Sequence, residues 1–155
     1  MKALQSLTEL FIASVVDAKQ VELWAEDGEL RSAPDFVVDG FEIAYTININ
    51  MVGVALSPHI LMMHLLNWLN KYDVNRAEKG LPNPSFATEL LDNGKCDIKL
   101  KVDIREDYSL IKSEKGNWSV DNVRYECVSD FSSVVTESEL DHLHFLGGHE
   151  NDLPS

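Results

Sequence analysis

From Phe41 to Val52 the chain alternates for twelve residues, with Phe41, Ile43, Tyr45, Ile47, Ile49 and Met51 on one parity and Glu42, Ala44, Thr46, Asn48, Asn50 and Val52 on the other. Successive side chains of a strand point to opposite faces, so this is a long strand with one buried face. A second alternation sets Ile98, Leu100, Val102 and Ile104 against Lys99, Lys101, Asp103 and Arg105. A strand over 86–91 and the turn Asp92-Asn93-Gly94 precede it, which predicts a hairpin with one apolar and one charged face. The charged face must meet water.

Something has to cover the apolar faces, and two helical stripes are available. Leu4, Leu7, Leu10, Phe11, Ser14 and Val15 recur at helical spacing, predicting an amphipathic helix over 2–16 with Lys2, Glu9 and Asp17 outward. Ser57 and Pro58 supply an N-cap and a first-turn proline, and Leu61, Leu65, Trp68, Leu69 and Tyr72 mark one stripe of a helix over 58–72. Trp68 is expected as a core anchor. Asp27-Gly28, between 21–26 and 29–31, reads as the turn of a small hairpin. The segment 76–85, with Gly80, Pro82 and Pro84, reads as an exposed loop, and 108–112 with 118–120 as one more hairpin. The element order predicts an α+β fold: a mainly antiparallel sheet with two helices packed on one face.

A chain of 155 residues with 45% apolar and 25% charged side chains has the size and composition of one globular domain. Twenty-six acidic against 13 basic residues give a formal charge of −13, which speaks against nucleic-acid recognition because phosphates require a basic footprint. From Asp121 onward there are eight acids and one base, so residues 121–155 read as an acidic extension. Within it Thr136 and Glu139 suggest a capping box for a short, marginal helix that Gly147-Gly148 would stop. Cys96 and Cys127 form neither a disulfide framework nor a thiolate zinc site, and each reads as a small apolar packer in a reduced cytosolic protein. Neither an export signal nor a membrane span is expected.

Candidates for chemistry are weak. Asp141, His142, His144, His149 and Glu150 have metal-ligand chemistry, but they sit in the polar tail, where a rigid supporting shell is not expected. His59 and His64 lack ligand spacing and read as a surface and a boundary residue. Glycines form no phosphate cradle, and neither cysteine nor any serine lies in a nucleophile signature. Carboxylate pairs such as Asp97 with Asp103, or Glu106 with Asp107, are expected by chance among so many acids. The expectation is therefore no catalytic residue, no cofactor and no metal. What remains is surface for association: Trp24, on a hairpin that a small sheet does not fully cover, with Glu26, Asp27, Glu29 and Arg31 beside it, forms the candidate subunit interface.

Blocks of the chain resemble a known family. Residues 21–28 (VELWAEDG), 41–51 (FEIAYTININM), 64–69 (HLLNWL), 87–92 (ATELLD) and 96–111 (CDIKLKVDIREDYSLI) are similar, in order and spacing, to the phage tail completion protein R (GpR) family of contractile-tailed temperate phages. The likeness covers roughly residues 3–120, making 1–120 a tail completion domain. Where that family shows Thr-Glu-Arg, this chain has Arg105-Glu106-Asp107 and keeps only the acid. The resemblance implies a tail-terminator-like fold and a non-enzymatic role in virion morphogenesis, completing the head-proximal end of the tail. It further implies a ring of about six copies, with the tail tube and head-tail connector proteins as partners. The implied location is the host cytoplasm during assembly and then the virion tail. Two other classes stand beside this reading: from the charge, an acidic inhibitor or DNA mimic on a basic partner surface, which needs its carboxylates clustered on one face, and from the tail's ligand-type residues, a small metal-dependent hydrolase built on Asp141, His142 and His144.

Overall fold

The structure, a computed structural model, describes residues 1–32 and 40–131. Helix α1 (Lys2–Leu10) continues through a π-helical turn (Phe11–Val15) and leads into strand β1 (Val21–Ser32). Strand β2 (Gly40–Val54), helix α2 (Pro58–Tyr72), β3 (Ser85–Leu90), β4 (Cys96–Lys112), β5 (Trp118–Val120) and β6 (Val123–Ser129) follow. The strands form one antiparallel sheet in the order β1-β2-β4-β6-β5, with β3 also paired to β4. Strand β4 is long enough to hold two neighbours along its second edge: β3 lies against its first part and β6 against its last.

The two alternating runs meet in register, Tyr45 opposite Ile104, Ile47 opposite Val102, Ile49 opposite Leu100 and Met51 opposite Ile98. All eight side chains are buried on one sheet face. Ala3, Leu7 and Phe11 from the N-terminal helix and Leu61, Leu65, Trp68, Leu69 and Tyr72 from α2 complete a single core. The fold is the expected α+β arrangement of two helices and a mainly antiparallel sheet. Trp68 is 2% exposed, its indole Nε1 donates to Ser6 Oγ at 3.0 Å, and its ring stacks on Phe131 at 5.6 Å. One side chain thus joins both helices to the segment just after β6.

Three expectations need correction. Asp27-Gly28 is not a hairpin turn: β1 runs straight through it, paired with β2 on both sides, and the register steps from Glu26 opposite Thr46 to Glu29 opposite Ala44. Asp27 and Gly28 together face Tyr45 alone, a β-bulge whose first residue, Asp27, has φ 55°. Bulges and hairpins use the same left-handed backbone chemistry, and pairing with the much longer β2 decides between them. Next, residues 108–112 pair with β6 and not with 118–120. The turn lies at Asp121-Asn122, both with positive φ (51° and 64°), and it closes β5 on β6 with Val120 opposite Val123. The folded part accordingly runs past residue 120. Lastly, Cys127 is exposed, whereas Cys96 is buried and donates its thiol to Leu56 O at 3.4 Å. The proposed capping box at Thr136 and Glu139 lies outside the described residues.

Candidate interaction surface

Opposite the helices, the sheet presents a polar face built from the other parity of the same strands. Matching residues form rows across it: Glu22, Asn50, Lys99 and Ala87 in one, Trp24, Asn48, Lys101 and Ser85 in the next. Both signs of charge are interspersed here. Lys99 and Lys101 are exposed, and among the described residues neither lies within ion-pair distance of a carboxylate. An all-carboxylate face, which a nucleic-acid mimic requires, is not what this sheet presents.

The five interface candidates all lie on β1. Trp24 is 38% exposed and its Nε1 donates to Glu26 Oε1 at 2.7 Å, while Glu26 Oε2 accepts from Asn48 Nδ2 at 3.3 Å. Glu26 thus ties the indole to its own strand and to β2. Beyond the bulge a separate ladder begins: Arg31 donates to Glu29 at 2.9 Å and to Glu42 at 3.1 Å, and Glu42 accepts two further bonds from Arg105, at 3.1 and 2.7 Å. Arg105 beside it holds the Glu42 carboxyl below the usual carboxylate range, as Arg31 does for exposed Glu29. The structure therefore brings Trp24 together with Glu26, and Glu29 with Arg31, with Asp27 at the bulge between them.

Sequence reasoning missed two features that shape this surface. Glu106 occupies an apolar-face position of β4 and is fully buried, accepting the Ala3 amide of α1 at 2.6 Å. Tyr108 approaches it at 3.4 Å, and burial, with the Glu106 charge, pushes the Tyr108 phenol up to about 12. The signal was legible as one acid on the apolar parity of an alternating strand. The other is Arg76, which bonds Asp73 Oδ2 (2.6 Å), Asp103 O (2.9 Å) and Pro82 O (2.7 Å). It serves the stretch of β4 that lies between its β3 and β6 partners. No sequence pattern marks such a residue, because two of its three partners are backbone carbonyls, one of them 27 positions along the chain.

Of the histidines, His59 is exposed and His64 half-buried, with burial lowering the His64 pKa. Asp141, His142, His144, His149 and Glu150 lie outside the described residues. Among the described residues no group of three or more His, Cys, Asp or Glu side chains is arranged to hold a metal, and no helix is long and apolar enough to cross a membrane.

Among the described residues, two sheet edges at the same level of the sheet have no strand paired to them. One is the outer edge of β1; the other is β3, whose six residues are all exposed, Phe86 at 57% and Leu90 at 75%. Residues 1–127 match the sequence pattern of the P2 phage tail completion protein R (GpR) family. The chain belongs to that family. The GpR match takes in both edges, the polar face and all but the last two residues of β6. A relative from Haemophilus phage HP1 (strain HP1c1), named "Uncharacterized 19.2 kDa protein in rep-hol intergenic region", is 26% identical over 128 residues, covering 76% of this chain and 74% of its own length. No solved structure matches this GpR family member.

Proposed function

We propose that this chain is a non-enzymatic structural subunit that completes the head-proximal end of a contractile phage tail, acting in a ring of about six copies. The observation that carries the reading is the GpR family match over residues 1–127, which spans nearly the whole described fold. The fold supports it in a second way. A closed ring of identical subunits needs two different complementary surfaces on each copy, and among the described residues β1 and β3 give the sheet two different edges without a strand partner at one level. Tail tube and head-tail connector proteins are the partners of such a subunit, and the virion tail is its location.

The test is a phage carrying a stop codon early in this gene, grown with and without the intact gene supplied in trans. Lysates without the gene should contain heads and tails that do not join, and supply in trans should restore infectious particles. Normal virions from the stop mutant would overturn the reading.

A further inference from the structure

We propose that copies of this chain associate by continuing the sheet from one to the next, the β3 edge of one copy pairing antiparallel with the Val21–Trp24 part of β1 in its neighbour. This rests on the assembly reading above and names the surfaces that perform it.

The argument begins with strand direction. Across the sheet at this level the order is β1, β2, β4, β3, each antiparallel to the last, so β3 runs antiparallel to β1. A neighbour in the same orientation, displaced sideways along the sheet, therefore presents its β1 antiparallel to β3 with no inversion. With an odd number of strands the two edges would run parallel. Head-to-tail association by antiparallel pairing is what an even count permits.

Register comes from the rows. Val21, Met51, Ile98 and Thr88 share one level, as do Glu22 with Ala87, Leu23 with Phe86 and Trp24 with Ser85. A neighbour at the same level thus sets its Leu23 opposite Phe86 on the helix-bearing face and its Glu22 opposite Ala87 on the polar face. Behind small Ala87 stands Lys99, about 9–10 Å from the neighbour's Glu22 at two strand spacings, a gap these two long side chains span. The neighbour's Trp24 likewise meets Lys101 across Ser85, a geometry suited to a cation over an indole. Charges thus complement: Lys99 and Lys101, which have no ion-pair partner among the described residues, lie behind one edge, and Glu22 and Glu26 line the other. Sliding the pairing by two residues one way sets Glu22 opposite Glu89, and like charges directly opposed are unfavourable; sliding it two the other way sets Leu23 and Trp24 opposite Pro84 and Asn83, beyond the start of β3.

The edges differ in protection as well. Strand β1 is interrupted by the bulge at Asp27-Gly28, which limits pairing to its first half. Strand β3 has neither bulge nor proline, and Glu89 is its single charge.

The test uses the full chain in a Cys127→Ser background, leaving Cys96 buried. Trp24→Cys with Ser85→Cys places two thiols opposite one another across the proposed junction, and mild oxidation traps even transient encounters. A ladder of disulfide-linked multimers is expected, absent from each single variant and from the out-of-register pair Trp24→Cys with Glu89→Cys. With the ladder as readout, Glu22→Lys should lower its yield at least about tenfold, the equivalent of a lost charge pair and a new repulsion, and Lys99→Glu should restore it. No ladder from folded protein, an equal ladder from the out-of-register pair, or no restoration by the charge swap would each overturn the proposal. A ladder from a protein whose loss leaves virions normal would overturn the tail reading alone; headless tails in the stop mutant, with no ladder, would overturn the edge pairing alone.

Discussion

Glu106 is an acid at a position that its own strand reserves for an apolar side chain, and its carboxylate closes the first turn of α1. Helix N-termini leave amides without intrahelical partners, and a buried carboxylate that accepts one of them also meets the positive end of the helix dipole. Here the acceptor comes from β4, 103 positions along the chain from Ala3. Glu106→Ala leaves that buried amide without its acceptor and removes a partner of the half-buried Tyr108 hydroxyl, and should cost roughly 2–4 kcal/mol in urea denaturation. Glu106→Gln, which keeps an acceptor, should cost less, and an unchanged midpoint for the alanine variant would refute the capping role. Glu42 gives a prediction with a pH sign. Its folded pKa is depressed by Arg105 and Arg31, so its stabilising contribution is complete above the unfolded carboxylate value of about 4.3 and disappears as pH falls through the lower folded value. Glu42→Gln should therefore be less stable at neutral pH by about 1–3 kcal/mol, with the gap to wild type closing below about pH 4. A gap that stays constant from neutral to acid would show that the carboxylate charge is not what matters.

At the scale of elements, the bulge in β1 is the place where local chemistry and long-range pairing diverge. Asp27 holds a left-handed backbone, so Asp27→Val should cost about 1–2 kcal/mol and Asp27→Gly little or nothing, read as shifts in thermal midpoint. Equal losses in both variants would mean that the aspartate side chain, and not the backbone, is the requirement. The same residue shows why the sequence was only partly legible. Long alternations and stripes, as in β2, β4 and α2, name their own buried face, because ten or more residues agree on one period. The pair Asp27-Gly28 names only a backbone shape, and the choice between turn and bulge belongs to β2, which lies beyond Ser32. Residues 108–112 failed for a related reason: the nearest strand in sequence is β5, but Asp121-Asn122 supplies a tighter turn and hands the pairing to β6. Of the candidate surface, the residues on β1 could be chosen from sequence. The second edge at β3 could not, since its exposure follows from sheet order alone.

The described fold runs through Phe131, and the sequence beyond it is net acidic. Phe131 stacks on Trp68 and packs tilted against Tyr72, and β6 covers the last part of β4, so the body needs more than the first 120 residues. A chain ending at Phe131 should keep the thermal midpoint of the full chain, and one ending at Val120, deprived of β6 and the Phe131 contact, should lose several kcal/mol or fail to fold. Charge then makes a distinct prediction about assembly. Residues 132–155 contain five acids and no lysine or arginine, so their removal takes the formal charge from −13 to −8. Identical neighbours repel in proportion to the charge each brings, and salt screens that repulsion. The chain ending at Phe131 should therefore self-associate more strongly than the full chain at low ionic strength. The two should converge as salt rises, and be indistinguishable near 1 M, where the Debye length is about 3 Å. Sedimentation of both proteins across a salt series checks this. Weaker association of the shortened chain at every salt concentration would mean that residues 132–155 contribute contacts of their own, and the assembly surface would then extend beyond the two sheet edges.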